Sequence, residues 1–206
     1  MSSGFSNADT GSKPADPYTE KNKQEPTLKE KINDLSAFVD KCKFCMMTTK
    51  TSDGLLASRC MALAAKEGNS VDYIFHTNTE SGKTDDLQAH SEINLGFLTS
   101  SGEWASISGT ATVETDREKV RAYYSPALKA WLGDLGDGTH DGGPEDPRIG
   151  LIKITSKTAQ YAVSGKTMIG SAIEVAKGVV TGEAPAVNKL VYLGESELKQ
   201  AREGSA

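Results

Sequence analysis

Residues 44–65 read FCMMTTKTSDGLLASRCMALAA. Two apolar stretches, FCMMTTKT and LLASRCMALAA, flank Ser52, Asp53 and Gly54. A short turn of serine, aspartate and glycine supplies the positive backbone angles and local hydrogen bonds a hairpin needs, so the stretch predicts two antiparallel strands. Before it, Thr27 stands three residues ahead of Glu30 in a capping pattern, and Leu28, Ile32, Leu35, Val39 and Cys42 repeat at helical spacing. A helix from Thr27 to about Lys41 therefore feeds the hairpin.

After the hairpin the strand character resumes. VDYIFHT follows the polar turn KEGN, Gly82 to His90 reads as a helix, and INLGFLTS and EWASISGTATVET are two strands joined at SSGE. In DREKVRAYYSPALKAWL, Asp116 caps a helix, Pro126 interrupts it, and Ala127 to Leu132 forms a second short one. Gly133 to Pro147 is a loop rich in glycine and aspartate; RIGLIKIT and TAQYAVS then predict two further strands. Met168 to Val180 reads as a helix, and LVYLG as a last short strand before a polar tail. The expected class is mainly β within α+β, its short antiparallel strands closing into a barrel with flanking helices.

Residues 1–26 are rich in Ser, Asp, Lys, Asn and Pro and nearly lack aliphatic side chains, so they predict a disordered tail. The remainder divides into a barrel domain over 27–165 and a C-terminal helical extension and tail over 166–206. With 206 residues, 37% of them hydrophobic, the chain suffices for one ordinary core. A net charge of -5 without a basic block excludes a general affinity for nucleic acid or for an anionic membrane surface. No apolar run approaches the roughly 20 residues that span a bilayer, and Met1 to Gln24 lacks the apolar middle of a signal peptide; a cytoplasmic protein is expected.

Chemistry first suggests itself at Thr77 to Leu87, TNTESGKTDDL. A strand that ends in hydroxyl residues and turns into a helix gathers amides, hydroxyls and a cation around one point, which favours a phosphate. Ser81, Lys83 and Thr84 occupy that junction; an ordinary helix start, with Ser81 or Thr79 as cap and Lys83 in solvent, is the competing reading. The spacing matches neither a nucleotide-triphosphate loop nor a dinucleotide fingerprint. Arg59 stands among small and apolar residues in ASRCMAL, where a guanidinium reaches either solvent or an anion.

Cys42, Cys45 and Cys60 are too few for a disulfide framework, and Cys42 with Cys45 lacks the further ligands a zinc site needs, so no metal is expected. His76, His90 and His140 stand isolated, and no Ser-His-Asp order or paired carboxylates suggest hydrolysis.

As an ordered set, DGLLASRCMAL, DYIFHTNTESGKTDDLQAHSEINLGF, WASISGTATVETDREKVRAYYSPALKAWL and DPRIGLIKI resemble the FMN-binding split-barrel family, the general-stress-protein branch of the pyridoxamine 5'-phosphate oxidase relatives. The resemblance covers about residues 28 to 165. It implies a six-stranded antiparallel split barrel that forms a homodimer with FMN in grooves at the interface. By this similarity Ser81 and Lys83 contact the FMN phosphate and Arg59 reaches it from a neighbouring strand. The backbone from Arg59 through Cys60 and Met61 to Ala62 lines the isoalloxazine, with His76 and Thr77 near the ring or ribityl chain. Trp104 approaches from the partner subunit and Trp131 matches a family tryptophan; no catalytic residue is assigned.

The family often has Arg-Pro-Met where this chain has Arg59, Cys60 and Met61, and its loop after Lys-Ala-Trp is commonly shorter than LGDLGDGTHDGG. Residues after Gly165 contain no Arg-x-His for a pyridoxamine phosphate, so that oxidase activity is not expected. The implied function is a flavin-dependent oxidoreductase of unspecified substrate in stress or light response. The alternatives are a non-enzymatic flavin-binding or regulatory module, or a binder of FAD or a deazaflavin.

Overall fold

The computed structural model describes residues 14–164 and 168–204. In chain order the elements are α1 (Pro17–Asn22), α2 (Leu28–Cys42), β1 (Phe44–Lys50), β2 (Leu56–Glu67), β3 (Asp72–Asn78), α3 (Gly82–Ala89) and β4 (Glu92–Leu98). Then follow β5 (Trp104–Glu114), α4 (Arg117–Tyr123), α5 (Leu128–Leu132), β6 (Ile149–Ser164), α6 (Met168–Thr181), β7 (Asn188–Leu193) and α7 (Glu195–Arg202). No helix among the described residues is long and apolar enough to cross a membrane.

The hairpin forms as the sequence predicts. Gly54 takes a φ of 87°, and the Thr51 amide donates to the Leu55 carbonyl at 2.8 Å, closing the turn between β1 and β2. On β1 the alternation sends Cys45, Met47 and Thr49 inward and leaves Phe44 and Met46 outside. Around the sheet the strand order is β3-β2-β1-β4-β5-β6, and β6 returns to pair with β3, which closes a six-stranded antiparallel barrel. Its interior holds Met47, Phe75, Leu95, Phe97, Ile107 and Ile152, each stabilising the fold by about 1.5–3 kcal/mol on full burial. The α2 helix covers one end with Leu35, Phe38 and Val39; its capping box is complete, the Thr27 amide donating to Glu30 Oε2 at 2.9 Å.

The structure corrects three expectations. RIGLIKIT and TAQYAVS are one continuous strand, β6, whose first half closes the barrel on β3 while its second half carries β7. Ser156 and Lys157 separate the two apolar runs without breaking the strand. Ser156 turns inward, where its amide donates to Asp72 Oδ1 at 3.0 Å and its hydroxyl to the Val71 carbonyl at 2.5 Å. Beside it the extra residue Lys157 bulges β6 against β5, and the close approach there depends on Gly109, because a Cβ at that position would overlap the Thr155 carbonyl.

The expected polar tail after β7 is instead α7, which buries Leu198 and Ala201 and ion-pairs Arg202 with Asp72 at 2.7 Å. The expected disordered tail also ends sooner than residue 26. Residues 1–13 lie outside the described residues, but α1 follows, and the Asn22 side chain is buried against the segment entering β7. Its Oδ1 accepts from the amides of Val187 at 3.0 Å and Asn188 at 2.9 Å, and its Nδ2 donates to the Pro185 carbonyl at 2.9 Å.

Candidate functional site

Where β3 ends, Asn78 turns the chain. Its side-chain oxygen accepts from the Glu80 amide at 2.9 Å, and its carbonyl accepts from the Ser81 hydroxyl at 2.7 Å and the Thr84 hydroxyl at 3.2 Å. Ser81 is the N-cap residue of α3, yet its side chain does not cap the helix. The hydroxyl is committed to Asn78 and accepts from Lys83 Nζ at 2.7 Å. The start of α3 thus has no side-chain cap; the Thr84 amide donates to the Ser81 carbonyl at 2.8 Å, and the Gly82 and Lys83 amides precede it.

Lys83 is half-buried and, among the described residues, has no carboxylate in ion-pair range. Burial lowers its pKa from the ordinary lysine value, and the nearby charge of Arg59 lowers it further. Arg59 comes from the inward-leaning side of β2 and is held in place. One guanidinium nitrogen lies 2.7 Å from Asp86 Oδ2 and another donates to Thr49 Oγ1 at 2.6 Å, while Thr49 Oγ1 donates to the same Asp86 oxygen at 2.9 Å. Asp86 offsets much of the Arg59 charge and fixes its rotamer; Lys83 keeps its charge uncompensated. Amides at a helix start, hydroxyls, a guanidinium and a desolvated ammonium form a donor set suited to an anion of high charge density.

The structure brings together Arg59, Ser81 and Lys83 from the residues the sequence singled out. Cys60 and Ala62 lie on the exposed outer face of β2, and Met61 turns toward the core. Thr77 is buried beside Gly150, where a Cβ would meet its methyl group. His76, on the opposite side of β3, faces α4, and its Nε2 lies 2.7 Å from the Tyr123 carbonyl. A carbonyl can only accept, so Nε2 carries the proton; burial lowers the pKa of this ring and favours its neutral form. Trp104 is half-buried at the start of β5, opposite Leu98 and Ala162, and Trp131 is 88% exposed on α5.

Sequence reasoning missed Thr49 and Asp86. A signal for Thr49 existed: it continues the inward series of Cys45 and Met47, and a buried hydroxyl requires a partner. Asp86 carries no such mark, since its partner Arg59 lies 27 residues earlier.

One end of the outer face of β1, β2 and β4 exposes apolar side chains beside the polar Thr48, Ser58 and Asn94. Phe44 stands opposite Ala62, Met46 opposite Cys60 on one side and Gly96 on the other, and Leu56 and Leu98 are 75% and 72% exposed.

The family model of pyridoxamine 5'-phosphate oxidase-like proteins matches residues 30–186. Protein bli-3 of Neurospora crassa is 58% identical over 202 residues, covering 97% of each chain. Among solved structures, a Clostridium acetobutylicum protein related to general stress protein 26 superposes with a TM-score of 0.58 at 15% identity, over 84% of this chain and 99% of its own. A Xanthomonas citri protein, titled a general stress FMN/FAD binding protein, gives a TM-score of 0.55 at 22% identity, over 68% of this chain and 93% of its own. Those two similarities show the fold, and it is the family match and the Neurospora relative that assign the sequence: the chain belongs to the pyridoxamine 5'-phosphate oxidase-like family.

Proposed function

We propose that the protein is a homodimeric FMN-binding split-barrel flavoprotein acting as an oxidoreductase. The observation that carries the flavin reading is Lys83, a half-buried ammonium without a carboxylate partner, beside the uncapped start of α3 and the tethered Arg59. The residues fit the phosphate of FMN. A phosphate monoester carries close to two negative charges near neutral pH, and its oxygens can accept from the α3 amides, Lys83 Nζ and the Arg59 donors not used by Asp86 and Thr49. Ser81 positions Lys83 by accepting from its ammonium, and Asp86 with Thr49 keeps Arg59 from swinging into solvent. A monoester suits this cluster better than the singly charged diester phosphates of FAD. Bound flavin supplies the electron-transfer chemistry, so the chain's residues need only hold it, shield it and admit a reductant and an acceptor.

The exposed Phe44, Met46, Leu56 and Leu98 on the outer side of β1, β2 and β4 support the dimer, since exposed apolar side chains gathered on one side of a barrel favour an interaction surface. The flavin reading draws further support from the Xanthomonas citri structure, whose title names FMN and FAD.

The test is a fluorescence titration of the full-length protein with FMN, FAD and riboflavin. Saturable binding of FMN with weak binding of riboflavin is expected, because riboflavin lacks the phosphate. Equal affinity for riboflavin would remove the α3 cluster from the site. Oxidation of NADH or NADPH by the FMN-loaded protein, dependent on an added acceptor, is the expected activity; tight FMN binding without such turnover would leave a flavin-binding module.

A further inference from the structure

The barrel leaves its sheet one open side among the described residues. Strands β1 to β6 each have a strand neighbour on both sides, because β6 closes on β3, whereas β7 pairs with β6 alone. An open strand edge presents amides and carbonyls to any extended chain that can lie against it. Residues from the N-terminal segment cover this one. Lys23 bridges Leu190 in the parallel sense, and the Gln24 amide donates to the Leu190 carbonyl at 2.9 Å, so the segment lies on β7 as a short added strand.

Two side chains seat it. Asn22 is 1% exposed and fills a socket of main-chain groups from Pro185, Val187 and Asn188. Three residues later, Glu25 Oε2 stands 2.8 Å from Nζ of the buried Lys31, which pairs also with Glu197 at 2.9 Å. Asn188 Nδ2 adds a bond by donating to the Tyr18 hydroxyl at 2.6 Å.

The attachment is shallow. Of residues 14–25 Asn22 alone is buried, so little apolar area holds the segment to the sheet. Its departure strands no charge, because Lys31 keeps Glu197 and the Tyr192 carbonyl, 3.1 Å from its ammonium. Such a local contact opens at a fraction of the free energy that unfolds the barrel. Beneath it lie a socket for a carboxamide, the open side of β7 and a buried ammonium. The segment itself displays the chemistry this edge accepts, since it satisfies all three together.

We propose that residues 17–25 are an autoinhibitory strap, occupying in cis a docking edge on β7 for an extended segment of a partner protein that carries an asparagine and, three residues later, a carboxylate. Main-chain bonds to Leu190 set the register of such a segment, and the socket and Lys31 select its side chains.

The experiment uses the full-length protein and, as probe, a fluorescein-labelled peptide of residues 14–26. Fluorescence anisotropy follows its binding to wild type, Asn22→Ala and Glu25→Ala, while hydrogen exchange reads the Gln24, Val187 and Asn188 amides. Asn22→Ala should open the strap, seen as faster exchange at those amides, and should bind the peptide about tenfold or more tighter than wild type, whose own strap competes. Glu25→Ala should move both readings the same way by less. A peptide carrying Asn22→Ala should bind none of the three. Circular dichroism should report a folded barrel throughout, because both substituted residues lie outside it. Absence of peptide binding to Asn22→Ala, with exchange showing its strap open, overturns the docking edge; oligomers of that variant would then make the strap a guard against edge-to-edge pairing. Unchanged exchange in Asn22→Ala overturns the strap as a releasable element. Equal binding to wild type and Asn22→Ala, or binding by the substituted peptide, puts the peptide elsewhere and overturns the proposal as well.

Discussion

Two turns of this molecule carry cations beside carboxylates, and they resolve their charges differently. In the loop before β6, Arg148 is tied down: its guanidinium pairs with the buried Asp146 at 2.6 Å and donates to the carbonyls of Leu132 at 3.0 Å and Gly133 at 2.9 Å. Asp146 also accepts from the Gly142 amide at 2.8 Å, which fastens the glycine-rich loop. At the start of α3, Lys83 donates to one hydroxyl and faces another cation. A cation paired with a buried carboxylate and two carbonyls is a fastening; one held partly out of water with its charge uncompensated is not. The same residue types fasten the chain in the first turn and, among the described residues, leave a cation without a carboxylate in the second.

The comparison can be broken from the largest effect downward. Asp146→Ala should cost about 3–5 kcal/mol in urea denaturation, because it strands the mostly buried Arg148 charge and frees the loop. FMN affinity of the protein that remains folded should change little. If Asp146→Ala lost less than about 1 kcal/mol, the loop anchor would not be structural in the sense argued.

The carboxyl of Asp146 is held down to about 2, chiefly by hydrogen bonds from Arg148. Its folded pKa lies below the unfolded value near 3.9, so this stabilisation is complete above about pH 5 and drains away as pH falls toward about 2. An acid titration followed by circular dichroism should show that loss in wild type and not in Asp146→Ala.

Lys83→Ala should reverse the pattern. FMN binding should weaken by about 1.5–3 kcal/mol, roughly 10- to 150-fold, while urea stability of the unliganded protein stays the same or rises. With its pKa lowered in the folded state, Lys83 opposes folding where it must be charged, and that penalty lifts as pH rises through the lowered value toward the ordinary one. The alanine variant should lose this rise. Unchanged FMN affinity at moderate salt would remove Lys83 from the site.

Smaller effects sharpen the picture. Thr49→Val should cost about 1–3 kcal/mol of stability by leaving Asp86 and Arg59 short of a partner, with a lesser loss of FMN affinity as Arg59 gains freedom. Asn22→Ala should cost about 1–2 kcal/mol, since the Val187 and Asn188 amides lose their acceptor, and should leave FMN affinity untouched. Wild-type stability in that variant would mean that α1 is held without Asn22.

Much of this was readable along the chain because its causes are local. Gly54 in the hairpin turn, the Thr27–Glu30 box, the Asp116 cap and the break at Pro126 each act within a few residues, and all stand where the sequence put them. Ser81, Lys83 and Arg59 were picked out by residue type, and the fold sets them close together, Lys83 bonded to Ser81 and within reach of the Arg59 charge. The continuity of β6, the helix α7 and the order of α1 were not readable, and each depends on a distant partner. Ser156 remains in the strand because Asp72 and Val71, 84 and 85 residues earlier, satisfy it. PYTEKN in α1 looks like solvated tail until Asn22 meets residues 187 and 188.

By itself, then, the sequence determined the alternation that makes strands, the caps and turns that end helices, and the concentration of donors at the start of α3, since these follow from periodicity and the chemistry of adjacent residues. Tertiary structure alone decided which cations would stay unpaired. Arg59 is tied because the barrel brings Asp86 within 2.7 Å, and Lys83 is not tied because the fold sets no carboxylate beside it. Charge compensation depends on distance in space, and a chain's order fixes that distance only after the sheet has closed.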